Sequence, residues 1–428
     1  MIKKIVDNLF IYPHYKMNIF SGTNTIKDFF GVFGYMLNPK KNDSKDYLIE
    51  YKQRIDCKIG TNSFLFASGR MGFYTILKSI DIKPGDEIIV PSFTCVVVIN
   101  AILYCGAKPV YCDITQTDFN IDILKIEKLI TPKTRIIYAQ HTFGQMCDIE
   151  NLLIITKKYS IILIEDAALS LGANKNGKFA GTIGDFGYYS TDRSKVINTG
   201  LGGIVSVNNP MFLDKFNQLY SNVENLDYKM VFKISFTFLA NLILLHPLVY
   251  WIGKIINLVL QKFGFLVYFF DENLRSKDDI KKYPYPAKMP NILAKVGISQ
   301  IESLSKNIQN RKQKAKFYNN ILKFYSEEYM NMPENIFLRY SFLINNRDKW
   351  ERKFSKVIDL SVWFKSIASG CNDIASLGYK RGQNPVSEYV CEHIFNLPTH
   401  DNINCKKIKK LLMELKNSGD IITSKYII

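Results

Sequence analysis

Between residues 47 and 210, short apolar runs alternate with longer stretches in which apolar residues recur every three or four positions. The runs at 64–67, 88–90, 109–112, 135–139, 161–164, 186–190 and 203–207 read as strands. Strands alternating with helical patterns predict an α/β domain with a mostly parallel sheet covered by helices. A second region opens at 292–318, where Ile298, Ile301, Leu304 and Ile308 predict one long helix joining two domains. Beyond it, 337–344 reads as a strand, 348–358 as a helix and 406–416 as a terminal amphipathic helix, together a smaller α+β domain.

Two apolar stretches stand outside this plan. Residues 26–37, with Phe29, Phe30, Phe33, Tyr35 and Met36, predict an amphipathic surface helix or an arm packed on a partner subunit, ended by the polar linker 38–46. Residues 230–270 hold three lysines (233, 254 and 262) and no acidic residue, and 234–253 is a 20-residue stretch without Lys, Arg, Asp or Glu, long enough to span a bilayer. His246-Pro247 interrupts it, and a single crossing would separate the two domains. The expectation is a hairpin of two helices, about 230–245 and 248–270, in peripheral contact with a membrane, with the lysines and Tyr250, Trp251 and Tyr268 at headgroup level. The alternative is a hairpin buried at an oligomer interface. The chain therefore divides into an N-terminal arm (1–45), a large domain (46–212), a hydrophobic helical insertion (213–285), and an interdomain helix with a small domain (286–428).

Charge narrows the partners. The chain has 428 residues and a net charge of +17, from 56 basic and 39 acidic side chains, which favours a nucleotide diphosphate, a phospholipid surface or nucleic acid. No zinc-finger spacing, RNA-binding aromatic signature or helix-turn-helix pattern occurs, which argues against nucleic acid. The five histidines are dispersed and the eight cysteines form no Cys-x-x-Cys pair, so no metal is expected. Met1-Ile2-Lys3-Lys4 does not open a cleavable signal peptide. A cytoplasmic location with reduced thiols is the simplest expectation.

Candidate chemistry gathers at strand ends. The run 161–164 leads into Glu165-Asp166-Ala167-Ala168, which puts a carboxylate at the carboxyl end of a buried strand, where open α/β sheets bind ligands. Phe186-Gly187-Tyr188-Tyr189-Ser190 continues through Thr191-Asp192-Arg193-Ser194 to Lys195, then to Gly200-Leu201-Gly202-Gly203. Such a lysine and aspartate suit pyridoxal 5'-phosphate: the amine attaches the cofactor and the carboxylate keeps its pyridine nitrogen protonated. Ser68-Gly69-Arg70 opens a helix whose free backbone N–H groups would face a phosphate. His141 and Gln145 follow another strand; His141 is a candidate for cofactor or substrate contact, alongside a purely hydrogen-bonding role.

The ordered set resembles the DegT-type nucleotide-sugar aminotransferases, which have fold type I, over roughly residues 46–212 and 286–412. Further matching motifs are Pro84-Gly85-Asp86-Glu87-Ile88-Ile89-Val90-Pro91-Ser92-Phe93-Thr94, Gly106-Ala107-Lys108-Pro109-Val110, His141-Thr142-Phe143-Gly144-Gln145 and Asn396-Leu397-Pro398-Thr399-His400. The resemblance implies that Lys195 carries pyridoxal phosphate, that Asp166 pairs with the pyridine nitrogen, and that Gly69, Arg70 and Ser190 hold the phosphate, with Ser68 at the helix start a further cofactor-binding candidate. It also implies a homodimer. Departures fall at Cys95, where the family usually stacks an aromatic residue on the cofactor, and at Leu169 and Leu201. Pro286 stands for the asparagine that reaches the neighbouring subunit's phosphate, and Lys288 for an arginine nearby; Arg70 or Arg193 are the candidate replacements. Trp363-Phe364 and 382–388 resemble substrate-lining positions of some members, though core packing and a turn explain them as well.

The implied reaction is transfer of an amino group from an amino acid, glutamate first, to a keto-sugar carried on a nucleotide or lipid diphosphate, in surface-glycan or related biosynthesis. Lys195 and Asp166 are the catalytic candidates, and Arg193 a substrate contact. The alternatives are another fold type I sugar-modifying enzyme, such as a dehydratase, and an inactive membrane-associated member. Related dehydratases replace the lysine with histidine, which argues against the first.

Overall fold

The computed structural model describes residues 15–19, 22–40, 44–267 and 285–422. The strands in chain order are β1 (Ser63–Phe66), β2 (Glu87–Pro91), β3 (Lys108–Cys112), β4 (Thr134–Gln140), β5 (Ile162–Asp166), β6 (Asn174–Lys175), β7 (Lys178–Phe179), β8 (Phe186–Ser190), β9 (Gly203–Val207), β10 (Glu224–Asn225) and β11 (Ala287–Lys288), followed in the small domain by β12 (Arg339–Leu343) and β13 (Ile394–Pro398).

The large sheet runs β10-β11-β1-β9-β8-β5-β4-β2-β3. Strands β3, β2, β4, β5 and β8 are mutually parallel, and β9 runs antiparallel to both β8 and β1. β1, β2, β9 and most of β4, β5 and β8 are buried along their length, as the continuous apolar runs require of a sheet covered on both faces. Register aligns the strand ends: Gln140 pairs with Asp166 and Asp166 with Tyr188.

Local signals set the helix starts. Thr25 and Asp28 form a reciprocal capping box on helix Ile26–Leu37, and Asp46, Asp148 and Asp227 cap Tyr47–Ile59, Ile149–Tyr159 and Tyr228–Leu244. The one long helix expected over 292–318 is two, Asn291–Glu302 and Leu304–Leu322, broken at Ser303. The Ser303 hydroxyl donates to the Ser299 carbonyl (3.1 Å), a back-bond that competes with the helix ladder. The expected helix over 348–358 is Arg347–Phe354. In the small domain β12 and β13 pair antiparallel, covered by Pro385–His393 and Cys405–Asn417.

The N-terminal arm packs on its own chain. Met17 donates to the Val357 carbonyl (2.9 Å) and accepts from Asp359 N–H (2.7 Å), while Lys16 N–H donates to Pro247 (3.0 Å). Helix Ile26–Leu37 is fixed to Asn291–Glu302 through buried Asp28, which accepts from Gln300 (2.9 Å) and from Ser299. The insertion is a hairpin, Tyr228–Leu244 and Tyr250–Lys262, broken around His246-Pro247. Gly253 allows its close approach, since a Cβ there would lie 1.6 Å from the Leu244 carbonyl oxygen, and Asn257 donates to Asn241 (3.0 Å) in the buried seam. Tyr250 corrects the expectation of a headgroup position: it is buried, and its hydroxyl donates to Asp359 (3.2 Å). Tyr268 lies outside the described residues, as do 1–14. No helix among the described residues is long and apolar enough to cross a membrane.

Candidate active site

At the carboxyl ends of β4, β5 and β8 lies a cavity of about 400 Å³, lined on the large-domain side by Gly69, Arg70, Cys95, Asp166, Ser190 and Lys195 among others, and on the small-domain side by Trp363 and Phe364. Each lining group traces to an element end. Asp166 ends β5, and its two oxygens are already oriented: Oδ1 accepts from Ala168 N–H (2.9 Å) and Oδ2 from the Tyr138 hydroxyl (2.6 Å). Tyr138 also meets the Tyr188 hydroxyl. Burial, then the nearby Asp166 charge, pushes the Tyr138 phenol well above its usual value, so it remains a donor.

Lys195 follows a turn in which its N–H donates to the Asp192 carbonyl (3.2 Å) and Ser194 takes a left-handed φ of 68°. Its carbonyl is held from the far side by Arg311 Nη2 (3.3 Å). Arg311 is buried and also donates to Asn307 (2.7 Å), the Leu338 carbonyl (3.2 Å) and Thr399 (3.3 Å), so one guanidinium ties the lysine loop to both strands of the small domain. Burial pushes its pKa down to about 10. At Lys195 the amine is also depressed below the ordinary lysine value. Burial is the leading cause; Cys95, Asp166 and Asp192 oppose it and Arg339 adds to it. A depressed amine is neutral, and nucleophilic, over a wider pH range.

Ser68 caps helix Gly69–Ser79 without a side-chain cap bond, and its buried hydroxyl has no hydrogen-bond partner among the described residues. A Cβ on Gly203 would sit 2.3 Å from the Ser68 carbonyl carbon, so the absence of a side chain lets β9 run directly beneath this turn. A buried hydroxyl in want of a partner, helix N–H groups, Arg70 and Ser190 make a donor set suited to a phosphate. A half-buried lysine and a preoriented carboxylate line the same cavity. These residues fit pyridoxal phosphate.

His141 does not belong to this set. It is fully buried, its Nδ1 accepts from Cys147 N–H (3.1 Å) and its Nε2 donates to Glu165 (2.9 Å). Glu165 also accepts from Gly181, Ile183 and Gly184 N–H. The pair anchors the turn before β8, and the expected contact of His141 with cofactor or substrate is corrected to that role. Arg193 lines the cavity beside Asp192 (3.4 Å). Leu169 lines it as well, whereas Leu201 is buried elsewhere and Lys288 donates to the Ser221 carbonyl (3.3 Å).

Three polar side chains in or beside the site hold roles that no reading of the sequence assigned them. Gln140 donates to the Phe93 carbonyl (3.1 Å) and to Thr142 (3.0 Å) and accepts from Thr94 (2.7 Å). Asn396 brackets the Trp363 backbone, accepting from its N–H (2.9 Å) and donating to its carbonyl. Arg339 donates to the Leu360 and Ser361 carbonyls (both 2.8 Å). The strand-end position of Gln140 was the available signal; nothing local marks Arg339.

GDP-perosamine synthase of Caulobacter vibrioides is 40% identical over 157 residues, 37% of this chain and 40% of that protein. The dTDP-3-amino-3,6-dideoxy-alpha-D-galactopyranose transaminase of Aneurinibacillus thermoaerophilus is 38% identical over 168 residues, 39% of this chain and 46% of that protein. The chain thus spans less than half the length of these curated relatives. The fold matches E. coli GDP-4-keto-6-deoxy-D-mannose-3-dehydratase with bound hydrated PLP, at a TM-score of 0.68 and 18% identity, over 94% of this chain and 99% of that one. A family model, DegT/DnrJ/EryC1/StrS aminotransferase family, matches residues 51–238 and 254–416, leaving only the tip of the hairpin unmatched between them. The chain belongs to the DegT/DnrJ/EryC1/StrS aminotransferase family.

Proposed function

We propose that this protein is a pyridoxal-phosphate-dependent transaminase that moves an amino group from an amino acid, glutamate first, to the keto group of a nucleotide- or lipid-linked sugar. The observation that carries this reading is the convergence in one cavity of a lysine amine, a carboxylate held by Tyr138 and Ala168, and a phosphate-suited turn at Ser68. Bound there, pyridoxal phosphate supplies the electron sink that lets a proton leave a carbon bearing nitrogen. Lys195 attaches the cofactor and, released by the amino donor, its Nζ removes and returns that proton. Asp166 would pair with the pyridine nitrogen. Ser68, Gly69, Arg70 and Ser190 would hold the phosphate, Cys95 would line the ring, and Arg193 would meet an anionic group of donor or acceptor.

Lysine rather than histidine at 195 favours transamination over the dehydration named for one structural neighbour. The relatives named for GDP- and dTDP-linked sugars support a nucleotide-sugar acceptor and do not choose the nucleotide. The test is direct: glutamate should change the visible absorbance of the loaded protein, and a panel of keto-sugar nucleotides should yield one product heavier by the exchange of oxygen for an amino group. A loaded protein that ignores every amino donor overturns the reading.

The cytoplasmic face of a membrane is the proposed location and a homodimer the proposed assembly. Exposed apolar residues repeat at matched spacing on two segments: Ile26, Phe30, Phe33 and Leu37 on helix Ile26–Leu37, and Ile252, Ile256, Val259 and Phe263 along helix Tyr250–Lys262 and its C-cap. Residues 228–267 carry four lysines and no acid, a composition that favours an anionic lipid surface.

A further inference from the structure

A tryptophan of the small domain faces the lysine amine. The Trp363 ring centroid lies 4.5 Å from Lys195 Nζ and 4.0 Å from the Arg339 guanidinium carbon. Its position is imposed from three sides. Asn396 clamps the backbone at both the N–H and the carbonyl; Arg339 grips the Leu360 and Ser361 carbonyls of the same segment; and Phe364 stacks alongside at 6.1 Å between centroids while packing edge-on against Phe93 at 5.3 Å. The same loop returns across the site and pairs with the large domain: Ser369 N–H donates to Thr94 (2.7 Å), its carbonyl accepts from Val96 N–H (2.9 Å), and Cys95 bridges Ser369. Trp363 and Cys95 are therefore carried on segments that are hydrogen-bonded to one another.

A planar heterocycle bonded to Lys195 Nζ needs a flat apolar neighbour, since an aromatic face packs with more contact area than a thiol. Of the aromatic groups lining the cavity, Phe73 and Tyr188 are stacked on each other (5.4 Å) on the Asp166 side. Trp363 is the one at the amine. Any group joined to Nζ begins a single bond length from an atom already over the indole.

We propose that Trp363 is a cofactor-contacting residue: its indole face packs on the group bonded to Lys195, so that the small domain supplies the flat contact that Cys95 does not. This rests on Lys195 as the attachment point. It makes the cofactor site a joint product of both domains, and with Arg339 stacked on the indole it joins cofactor occupancy to the packing of the small domain.

The test titrates cofactor-free protein with pyridoxal phosphate, following visible absorbance for occupancy and visible circular dichroism for the asymmetry of the ring's surroundings. Trp363→Leu should weaken affinity about tenfold, the scale of one lost aromatic contact, and change the dichroism of the fully loaded protein. Trp363→Phe should remain close to the unmodified protein in both, and Cys95→Phe added to Trp363→Leu should recover part of the affinity. Unaltered affinity and dichroism in Trp363→Leu overturn the proposal. Equal losses in the Leu and Phe variants overturn it as well, because the indole then matters for holding its loop and not for facing the cofactor. If the unmodified protein forms no covalent adduct, it is the assignment of Lys195 that fails.

Discussion

Lys195 acts through one atom, so its removal separates chemistry from fold. Lys195→Ala should bind pyridoxal phosphate without the covalent link, and borohydride treatment should leave no adduct by mass spectrometry; an adduct on another lysine would refute the assignment. The same amine has a pH signature. Its folded pKa lies below the unfolded value, so in the interval between them the unfolded chain holds the extra proton and stability rises with pH. Cofactor-free Lys195→Met should therefore exceed the unmodified protein in stability below that interval and lose the advantage as pH climbs towards the ordinary lysine value near ~10.4. Parallel denaturant titrations at several pH values measure this. For Asp166, Asn keeps the shape and loses the charge. Turnover should fall about 100-fold or more with cofactor still bound, the scale of one lost preorganised electrostatic contact. The alternation of side chains explains which site residues were legible. Glu165 and Asp166 point to opposite faces of β5, as Gln140 and His141 do where β4 ends. Asp166 and Gln140 reach the cavity; Glu165 and His141 meet behind it. Strand ends could be read from the apolar runs, but a one-residue phase could not, which is why His141 was a candidate and Gln140 was not.

Elements bring these residues to one place by two devices, one local and one distant. The local device is the crossing of β9 under the Ser68 turn. Gly203→Ala puts a methyl group against the Ser68 carbonyl carbon, where a Cβ would lie at 2.3 Å, and the turn must shift. Cofactor affinity should drop at least about tenfold, since phosphate donors misplaced by an ångström lose most of their hydrogen-bond energy; absorbance titration checks it, and unchanged affinity would show that the turn does not hold the phosphate. Gly202-Gly203 was visible in the sequence as part of a motif, although the contact that requires it was not. The distant device is Arg311, about two turns beyond the break at Ser303. A continuous apolar period hid that break because both helices bury residues at the same spacing, on different neighbours. Arg311 lies in a lysine- and asparagine-rich stretch with no local mark of burial, and only its partners at Lys195, Leu338 and Thr399, distant in sequence, reveal its role. Arg311→Ala removes the guanidinium's bond to the Lys195 carbonyl and leaves a cavity where a fully buried side chain stood, and should cost about 3 kcal/mol or more of stability, measured by urea unfolding, with cofactor retention lost at lower urea than in the unmodified protein.

Across the whole molecule, the sheet and the hairpin followed from patterns that repeat over many residues, which is where periodicity is most informative. The arm was harder to place: Met17 and Lys16 join the small domain to the hairpin through backbone hydrogen bonds, and backbone pairing leaves no residue-type signature. Because the arm and Tyr250 fix the hairpin inward, its outward stripe cannot be relieved by folding back, and the exposed stripe of helix Ile26–Leu37 stands on an element packed against the hairpin's first helix. An apolar face of this kind, flanked by Lys229, Lys233 and Lys262, suits shallow insertion into an anionic leaflet, with each lysine near the headgroups contributing about 1 kcal/mol. The full chain should float with vesicles containing anionic lipid, bind neutral vesicles less, and resist complete release by high salt because apolar burial is not screened. Ile252→Asp with Ile256→Asp should abolish flotation while leaving pyridoxal phosphate binding intact, since both side chains are exposed in the present fold. If the unmodified protein fails to float and the double substitution instead converts a dimer to a monomer by light scattering, the face is a subunit interface, and the case for a lipid-linked acceptor loses its support.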